Sequence, residues 1–376
     1  MKRVWVYRSG LLRDASPFFD RVAELMKILL TGGCGFIGSA VIRRAMAASA
    51  HEIINIDKMT YAASEDALET ARTSQRHTLI KADITDAAAM RAAFATYQPD
   101  AVMHLAAESH VDRSIDGPAD FVHTNITGTF TLLDAARAYY AGLEGERREK
   151  FRFHHISTDE VFGALEDSDP PFNEHTPYDP RSPYSASKAA SDHLARAWHH
   201  TYGLPVIVSN TTNNYGPWQF PEKLIPLVLL NALEGKALPV YGDGKNTRDW
   251  LFVDDHAEAL LKVVETGIPG ETYCIGARQP RQNIDVVRAI CALLDEKIPD
   301  PAGRRERLIT YVRDRPGHDH RYEIDPSHAE GALNWKADHD FERGLRATID
   351  WYLNHKDWWQ GIRDKKYAGQ RLGKEK

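Results

Sequence analysis

The stretch Lys27-Ile28-Leu29-Leu30-Thr31-Gly32-Gly33-Cys34-Gly35-Phe36-Ile37-Gly38 decides the fold. Residues 27–31 are a short apolar run, suited to a strand buried on both faces. A glycine-rich turn follows, and helical periodicity then runs over 36–49. Gly33-x-Gly35-x-x-Gly38 fits the dinucleotide spacing, and Gly32, Gly35 and Gly38 also give G-x-x-G-x-x-G. Such a turn lets backbone approach a pyrophosphate at the positive end of a helix. Glycines alone also serve ordinary turns, so the context decides. A second apolar run, 52–57, ends on Asp57, 19 residues past Gly38. A carboxylate there accepts ribose hydroxyls and repels a 2′-phosphate, which favours NAD over NADP. Lys58 is the one residue that cuts against that preference. Asp83, Ile84, Ala106, Ala107 and Asn214 complete the cofactor-binding candidates with Phe36 and Ile37.

Outward from this loop, apolar runs at 77–83, 101–106, 151–157, 205–210 and 272–276 alternate with helical stretches at 87–97, 119–141, 183–202 and 254–266. This alternation predicts an α/β fold, a Rossmann-like doubly wound parallel sheet with its site at the carboxyl ends of the strands. The expected organisation is an NAD-binding domain over 26–215, joined later by the strand near 272–276, and a smaller C-terminal substrate-binding domain over 216–355. Residues 356–376 read as a polar tail, frayed from Lys365. Segments 163–182 and 298–321, rich in Pro, Asp and Arg, read as loops. The text restarts at Met26 like a domain beginning, so 1–25 is expected to be a peripheral extension; it lacks the apolar core of a secretory signal.

The 376 residues carry 47 basic and 53 acidic side chains, a net charge of −6 that argues against a general nucleic-acid binder. No apolar run approaches the ~18 residues of a membrane helix. Three cysteines without C-x-x-C spacing suggest a reducing, cytoplasmic setting. Seventeen histidines invite a metal reading, but neighbours such as His154 and His155 point to opposite faces of a strand. No metal is expected.

Tyr184-x-x-x-Lys188 places a phenol and an ammonium on one helix face. The cation is expected to lower the phenol pKa and make Tyr184 a base for a sugar hydroxyl, with Thr158 bonding the same hydroxyl. An isolated pair of this kind would read as surface decoration; the glycine loop upstream argues otherwise. Asp159 and Glu160 follow the run 151–157 where the strand emerges. Adjacent carboxylates at a strand end are costly unless solvated, paired or used. Kept one protonated and one ionised, they suit a reaction that removes a C–H proton while expelling a hydroxyl.

On these residues the chain resembles the extended short-chain dehydrogenase/reductase family, and within it the nucleotide-sugar 4,6-dehydratases. The resemblance runs from about Met26 to Tyr352. It is carried by Leu105-Ala106-Ala107-Glu108-Ser109-His110-Val111-Asp112-Arg113-Ser114-Ile115, Ser157-Thr158-Asp159-Glu160-Val161-Phe162-Gly163, Asn213-Asn214-Tyr215-Gly216-Pro217 with Phe220 to Pro226, and Asp314-Arg315-Pro316-Gly317-His318-Asp319. Phe162 stands where the family usually has Tyr and Trp218 where Tyr or a similar aromatic is common, and the loop 164–182 looks shorter than in some relatives. The resemblance implies dTDP-glucose as substrate, with Asp159 as acid towards the C6 hydroxyl and Glu160 as base at C5. Thr158, Tyr184 and Lys188 would handle oxidation at C4. It further implies substrate contacts from Ser109, Asn213, Lys223, Leu224, Tyr241, Arg248, Asn283, Arg315 and His318, with Arg248 and Arg315 on the diphosphate, and a homodimer formed through the helices at 119–141 and 183–202. A nucleotide-sugar epimerase or decarboxylase would use Tyr184 and Lys188 without needing the carboxylate couple. A non-catalytic NAD sensor would tolerate loss of either.

Overall fold

A computed structural model describes residues 25–314, 317–365 and 367. Apart from Leu25 the proposed extension lies outside these, as do Arg315 and most of the segment after 365.

Six strands alternate with helices in the first half: β1 (Lys27–Thr31), β2 (Glu52–Asp57), β3 (His77–Lys81), β4 (Ala101–His104), β5 (Arg152–Thr158) and β6 (Val206–Thr211). A later strand, β10 (Thr272–Ile275), returns to the same sheet. The order is β10-β6-β5-β4-β1-β2-β3, every pairing parallel. The doubly wound expectation holds. Ile28, Leu29, Leu30, Ile53 and Ile54 are fully buried because helices cover both faces.

Local chemistry sets the helix ends. Asp86 accepts from the amides of Ala88 and Ala89 to start the helix Ala87–Tyr97. Ser182 and Ser185 form a reciprocal capping box at the start of Pro183–Tyr202, with Pro183 in the first turn. Gly203, at φ +68°, ends it in the left-handed region. The helix expected over 119–141 is not continuous. It begins as Pro118–Phe121, widens into a π-helical segment Val122–Gly128, and resumes as Thr129–Ala141. The widening turns Asn125 inward, where it is 1% exposed and bonds the amide and carbonyl of Glu108 and the Ser187 hydroxyl. Such π segments recur at functional sites.

The second half builds a smaller layer. β7 (Asn213–Tyr215) runs parallel to β9 (Thr247–Phe252), which pairs antiparallel with β11 (Pro280–Gln282). β8 (Leu238–Tyr241) pairs parallel with β12 (Ile309–Val312). Helices Leu224–Leu233, Asn283–Lys297 and Phe341–Asn354 share a core containing Leu229, Val287, Ile290, Leu345 and Ile349. Two expectations are corrected here. Segment 298–321 is not all loop, since β12 lies within it. Residues 356–365 are not a polar tail but a helix, Lys356–Lys365, whose Trp359 and Ile362 are buried. Its apolar residues recur at helical spacing inside a charged stretch, so mean polarity concealed the docking face.

Candidate active site

A crevice of about 400 Å³ opens at the carboxyl ends of β1, β2, β4 and β5. β1 lies between β2 and β4, where the strand order reverses. At Gly38 a Cβ would stand 2.2 Å from the Gly32 carbonyl oxygen, so only glycine lets the helix Phe36–Ala48 pack on the turn. Gly32 takes φ +78°, and a Cβ there would stand 2.8 Å from the Ala106 backbone. Gly35 caps the helix without a side-chain hydrogen bond, and Phe36 and Ile37 line the crevice. The first-turn amides are thus left for an anion.

Asp57 closes the far side. Its Oδ2 accepts from the Cys34 amide at 2.9 Å and its Oδ1 from the Met59 amide at 2.7 Å. Burial pushes its carboxyl above the ordinary value, against those two hydrogen bonds. Lys58 is held by Asp83 at 2.7 Å, which neutralises the cation that would welcome a 2′-phosphate. Ile84, Ala106, Ala107 and Asn214 also line the crevice. The residues present fit a dinucleotide without a 2′-phosphate.

Thr158, Glu160, Tyr184 and Lys188 form the deeper wall. The Thr158 hydroxyl accepts from the Glu160 amide at 3.2 Å and donates to Asp159 Oδ1 at 3.3 Å. Asp159 is 1% exposed, and its Oδ2 has no hydrogen-bond partner among the described residues. Burial, then the charge of Glu160, push the Asp159 carboxyl up to about 8, against the Thr212 hydroxyl and the charge of Arg248. One member of the couple is therefore a protonated acid at neutral pH. The expected effect of Lys188 on Tyr184 is not what dominates. Burial and the charge of Glu160 push the phenol up, and the Thr158 hydroxyl opposes them. The Lys188 ammonium instead donates to the Ile156 carbonyl at 2.8 Å.

Of the expected substrate contacts, Ser109, Asn213, Lys223 and Leu224 line the crevice. Lys223 Nζ donates to the Ser109 carbonyl at 2.9 Å, and Asn213 Oδ1 is buried with no hydrogen-bond partner among the described residues. Tyr241, Asn283 and His318 lie beyond that lining. Tyr241 donates to Asp112 at 3.1 Å and His318 meets Asp314 at 2.6 Å. Arg248 is 5% exposed, bonds the carbonyls of Thr247, Asp319 and His320, and stacks 4.2 Å over Tyr322. Its charge acts on Asp159.

The sequence reading passed over several groups. His256 Nδ1 donates to Asn214 Oδ1 at 2.9 Å while its Nε2 meets Thr211 at 3.0 Å, which fixes the Asn214 amide. Across the mouth, the Tyr61 hydroxyl donates to Glu222 Oε1 at 3.0 Å and Arg113 Nε reaches Glu222 Oε2 at 3.1 Å. The Arg113 guanidinium lies 3.9 Å over the Tyr61 ring. Arg113 and Glu222 stand within the quoted strings, but their contacts could not be read there, because each acts between segments distant in sequence. Among the described residues no cluster suits a metal ion, and no helix is long and apolar enough to cross a membrane.

A Rossmann-type sheet whose glycine loop faces a Tyr-x-x-x-Lys helix defines a short-chain dehydrogenase/reductase architecture. A family model described as GDP-mannose 4,6 dehydratase matches residues 29–348, and the chain belongs to this family of nucleotide-sugar dehydratases. It is 57% identical to a dTDP-glucose 4,6-dehydratase of Escherichia coli, over 93% of this chain and 99% of that one. It is 56% identical to the enzyme of the same name from Neisseria meningitidis, with the same coverage. Among solved structures, dTDP-glucose 4,6-dehydratase from Streptomyces venezuelae, with NAD bound, superposes with TM-score 0.81 at 39% identity, over 90% of this chain and all of that one. A Thermus thermophilus UDP-glucose 4-epimerase with NAD follows at TM-score 0.75 and 26% identity, over 88% of this chain and all of that one.

Proposed function

We propose that this chain is an NAD-dependent lyase that converts dTDP-glucose to dTDP-4-keto-6-deoxyglucose, a step of deoxysugar nucleotide biosynthesis. The observation that carries the reading is Asp159, buried beside Glu160 with its carboxyl pushed up to about 8, together with relatives of that activity at 57% identity. NAD, when bound, takes the hydride from C4 and returns it to C6. Tyr184 removes the C4 hydroxyl proton while Thr158 bonds the same oxygen. The C4 ketone acidifies the C5 hydrogen, which Glu160 removes as Asp159 protonates the departing C6 hydroxyl. Water leaves, and Glu160 returns its proton to C5. The proton gained by Tyr184 and the one lost by Asp159 balance through solvent, and because the hydride taken from C4 returns to C6 the cycle is redox-neutral. A 4-epimerase on the same scaffold has no step for Asp159 and Glu160.

The reading extends to assembly and place. Val122, Phe130 and Tyr202 are each about half exposed on the helical face flanking the sheet, at 51%, 46% and 47%, and support a homodimer through these helices. Cys34, Cys274 and Cys291 are unpaired and buried, in keeping with the cytoplasm. The test is incubation with a panel of nucleotide-glucoses, followed by alkali to develop the keto-sugar chromophore. A signal strongest with dTDP-glucose is expected; a 4-epimer formed without loss of water would overturn the reading.

A further inference from the structure

Behind the reactive wall lies a buried polar knot that the chemistry above does not use. Asp192 is fully buried, one helical turn beyond Lys188 on the helix Pro183–Tyr202. Its Oδ1 accepts from His155 Nε2 at 3.0 Å. Its Oδ2 accepts from the Ser157 hydroxyl at 2.9 Å, the Tyr178 hydroxyl at 2.9 Å and Asn210 Nδ2 at 3.2 Å. Asn210 Nδ2 also donates to the Thr158 carbonyl at 3.1 Å. One carboxylate thus ties the ends of β5 and β6 to the helix that carries Tyr184 and Lys188. A buried carboxylate is costly unless its lone pairs are satisfied, and four donors converge on this one.

We propose that Asp192 is a positioning residue for C4 oxidation: its buried charge holds Lys188 as a cation, and its hydrogen bonds fix the strand end that presents Thr158, Asp159 and Glu160. The proposal rests on the reading of Tyr184 and Lys188 as the oxidation couple.

The surrounding charges agree with the geometry. Burial pushes the Lys188 ammonium below the ordinary lysine value, and the charge of Asp192 opposes that push. Burial acts upward on Asp192, but the bonds from His155 and Ser157 and the charge of Lys188 outweigh it and leave the carboxyl low. From β5, His155 is pushed down by burial and by Lys188, so the ring is neutral and donates from Nε2. From β4, His104 is pushed well down by burial. From the loop before the helix, burial and Asp192 push the Tyr178 phenol up. On the helix itself, Arg196 Nη2 donates to the Tyr178 hydroxyl at 2.9 Å, and burial, then the charge of Glu160, push the Tyr184 phenol up. Asp192 is therefore the anion that acts on Lys188.

Asp192→Asn keeps the shape and removes the charge. The probe is dTDP-6-deoxyglucose, which has no C6 hydroxyl to expel and so reports C4 oxidation alone as NADH absorbance. In the parent enzyme, NADH formation from this probe and turnover of dTDP-glucose test the underlying reading. In Asp192→Asn, the variant-to-parent ratio of oxidation rates should fall by about tenfold or more across two pH units on the alkaline side, since one unit of pKa change is a tenfold change in population. Lowering the pH should restore the ratio. A ratio equally depressed at every pH would make Asp192 a packing residue and overturn the proposal. Should Asp192→Asn fail to fold, the Lys188 side chain can be followed in the parent protein by 13C-lysine NMR, assigned with Lys188→Arg. A charged Lys188 throughout the range of turnover is expected; a neutral one at the pH of maximal turnover overturns the proposal.

Discussion

Asp159 and Glu160 are adjacent in sequence, yet only Asp159 is sealed from water. With its carboxyl pushed up to about 8, the protonated form is favoured at neutral pH. The donor form is present below that value and lost above it. Dehydration should therefore fall as pH rises through about 8, while oxidation of dTDP-6-deoxyglucose should not share that limb. The same group acts on stability: the folded state holds this proton more tightly than the unfolded chain, so its contribution is lost between the ordinary 3.8 and about 8. Asp159→Asn should accordingly resist urea better than the parent above that range. Asp159→Asn and Glu160→Gln should each cut dehydration by ~10²–10⁴-fold and let NADH accumulate. Tyr184→Phe should lose oxidation and show no NADH. At this scale the sequence was legible wherever a role is local: Thr158 to Glu160 and Tyr184 to Lys188 stand in short strings. Asn125, Asp192 and His256 were not, because each works through a partner on another strand or helix. Helical spacing placed Tyr184 and Lys188 on one face but could not show that Ile156 offers the ammonium a carbonyl.

Among elements, the glycine loop has the least tolerance. A Cβ at Gly38 meets a carbonyl oxygen at 2.2 Å that belongs to backbone and cannot rotate away, whereas one at Gly35 meets its nearest atom at 3.3 Å. Gly38→Ala should purify with little bound NAD and a lowered melting temperature; Gly35→Ala should keep its fold and lose mainly cofactor affinity. Calorimetric titration with NAD, beside thermal unfolding, separates the two. The strands of the seven-stranded sheet were readable as apolar runs, most of them buried on both faces. β7, β8, β11 and β12 were missed, since three or four residues give too short a pattern to stand out from loop, and β9 was missed because Arg248 and Asp249 interrupt its apolar run. The π-helical segment was missed because periodicity continues through it with one turn widened.

Across the whole molecule, the last described helix behaves as part of the core. Trp359 is 5% exposed and its Nε1 donates to the Tyr352 carbonyl at 2.9 Å. Trp359→Ala should cost about 3–5 kcal/mol, read as a lower urea midpoint at unchanged slope. The exposed Val122, Phe130 and Tyr202 predict a dimer in sedimentation at micromolar concentration, and Phe130→Glu should shift it towards monomer. The bridge from Tyr61 and Arg113 to Glu222 has a further consequence. It joins the two halves of the molecule across the crevice mouth, on the side where a bound coenzyme would enter. A coenzyme reduced and reoxidised within one cycle has no reason to leave. On the proposed cycle the hydride never leaves the protein, so turnover should be insulated from the redox poise of its surroundings and should not follow the ratio of free NAD to NADH, which assays at varied ratios check.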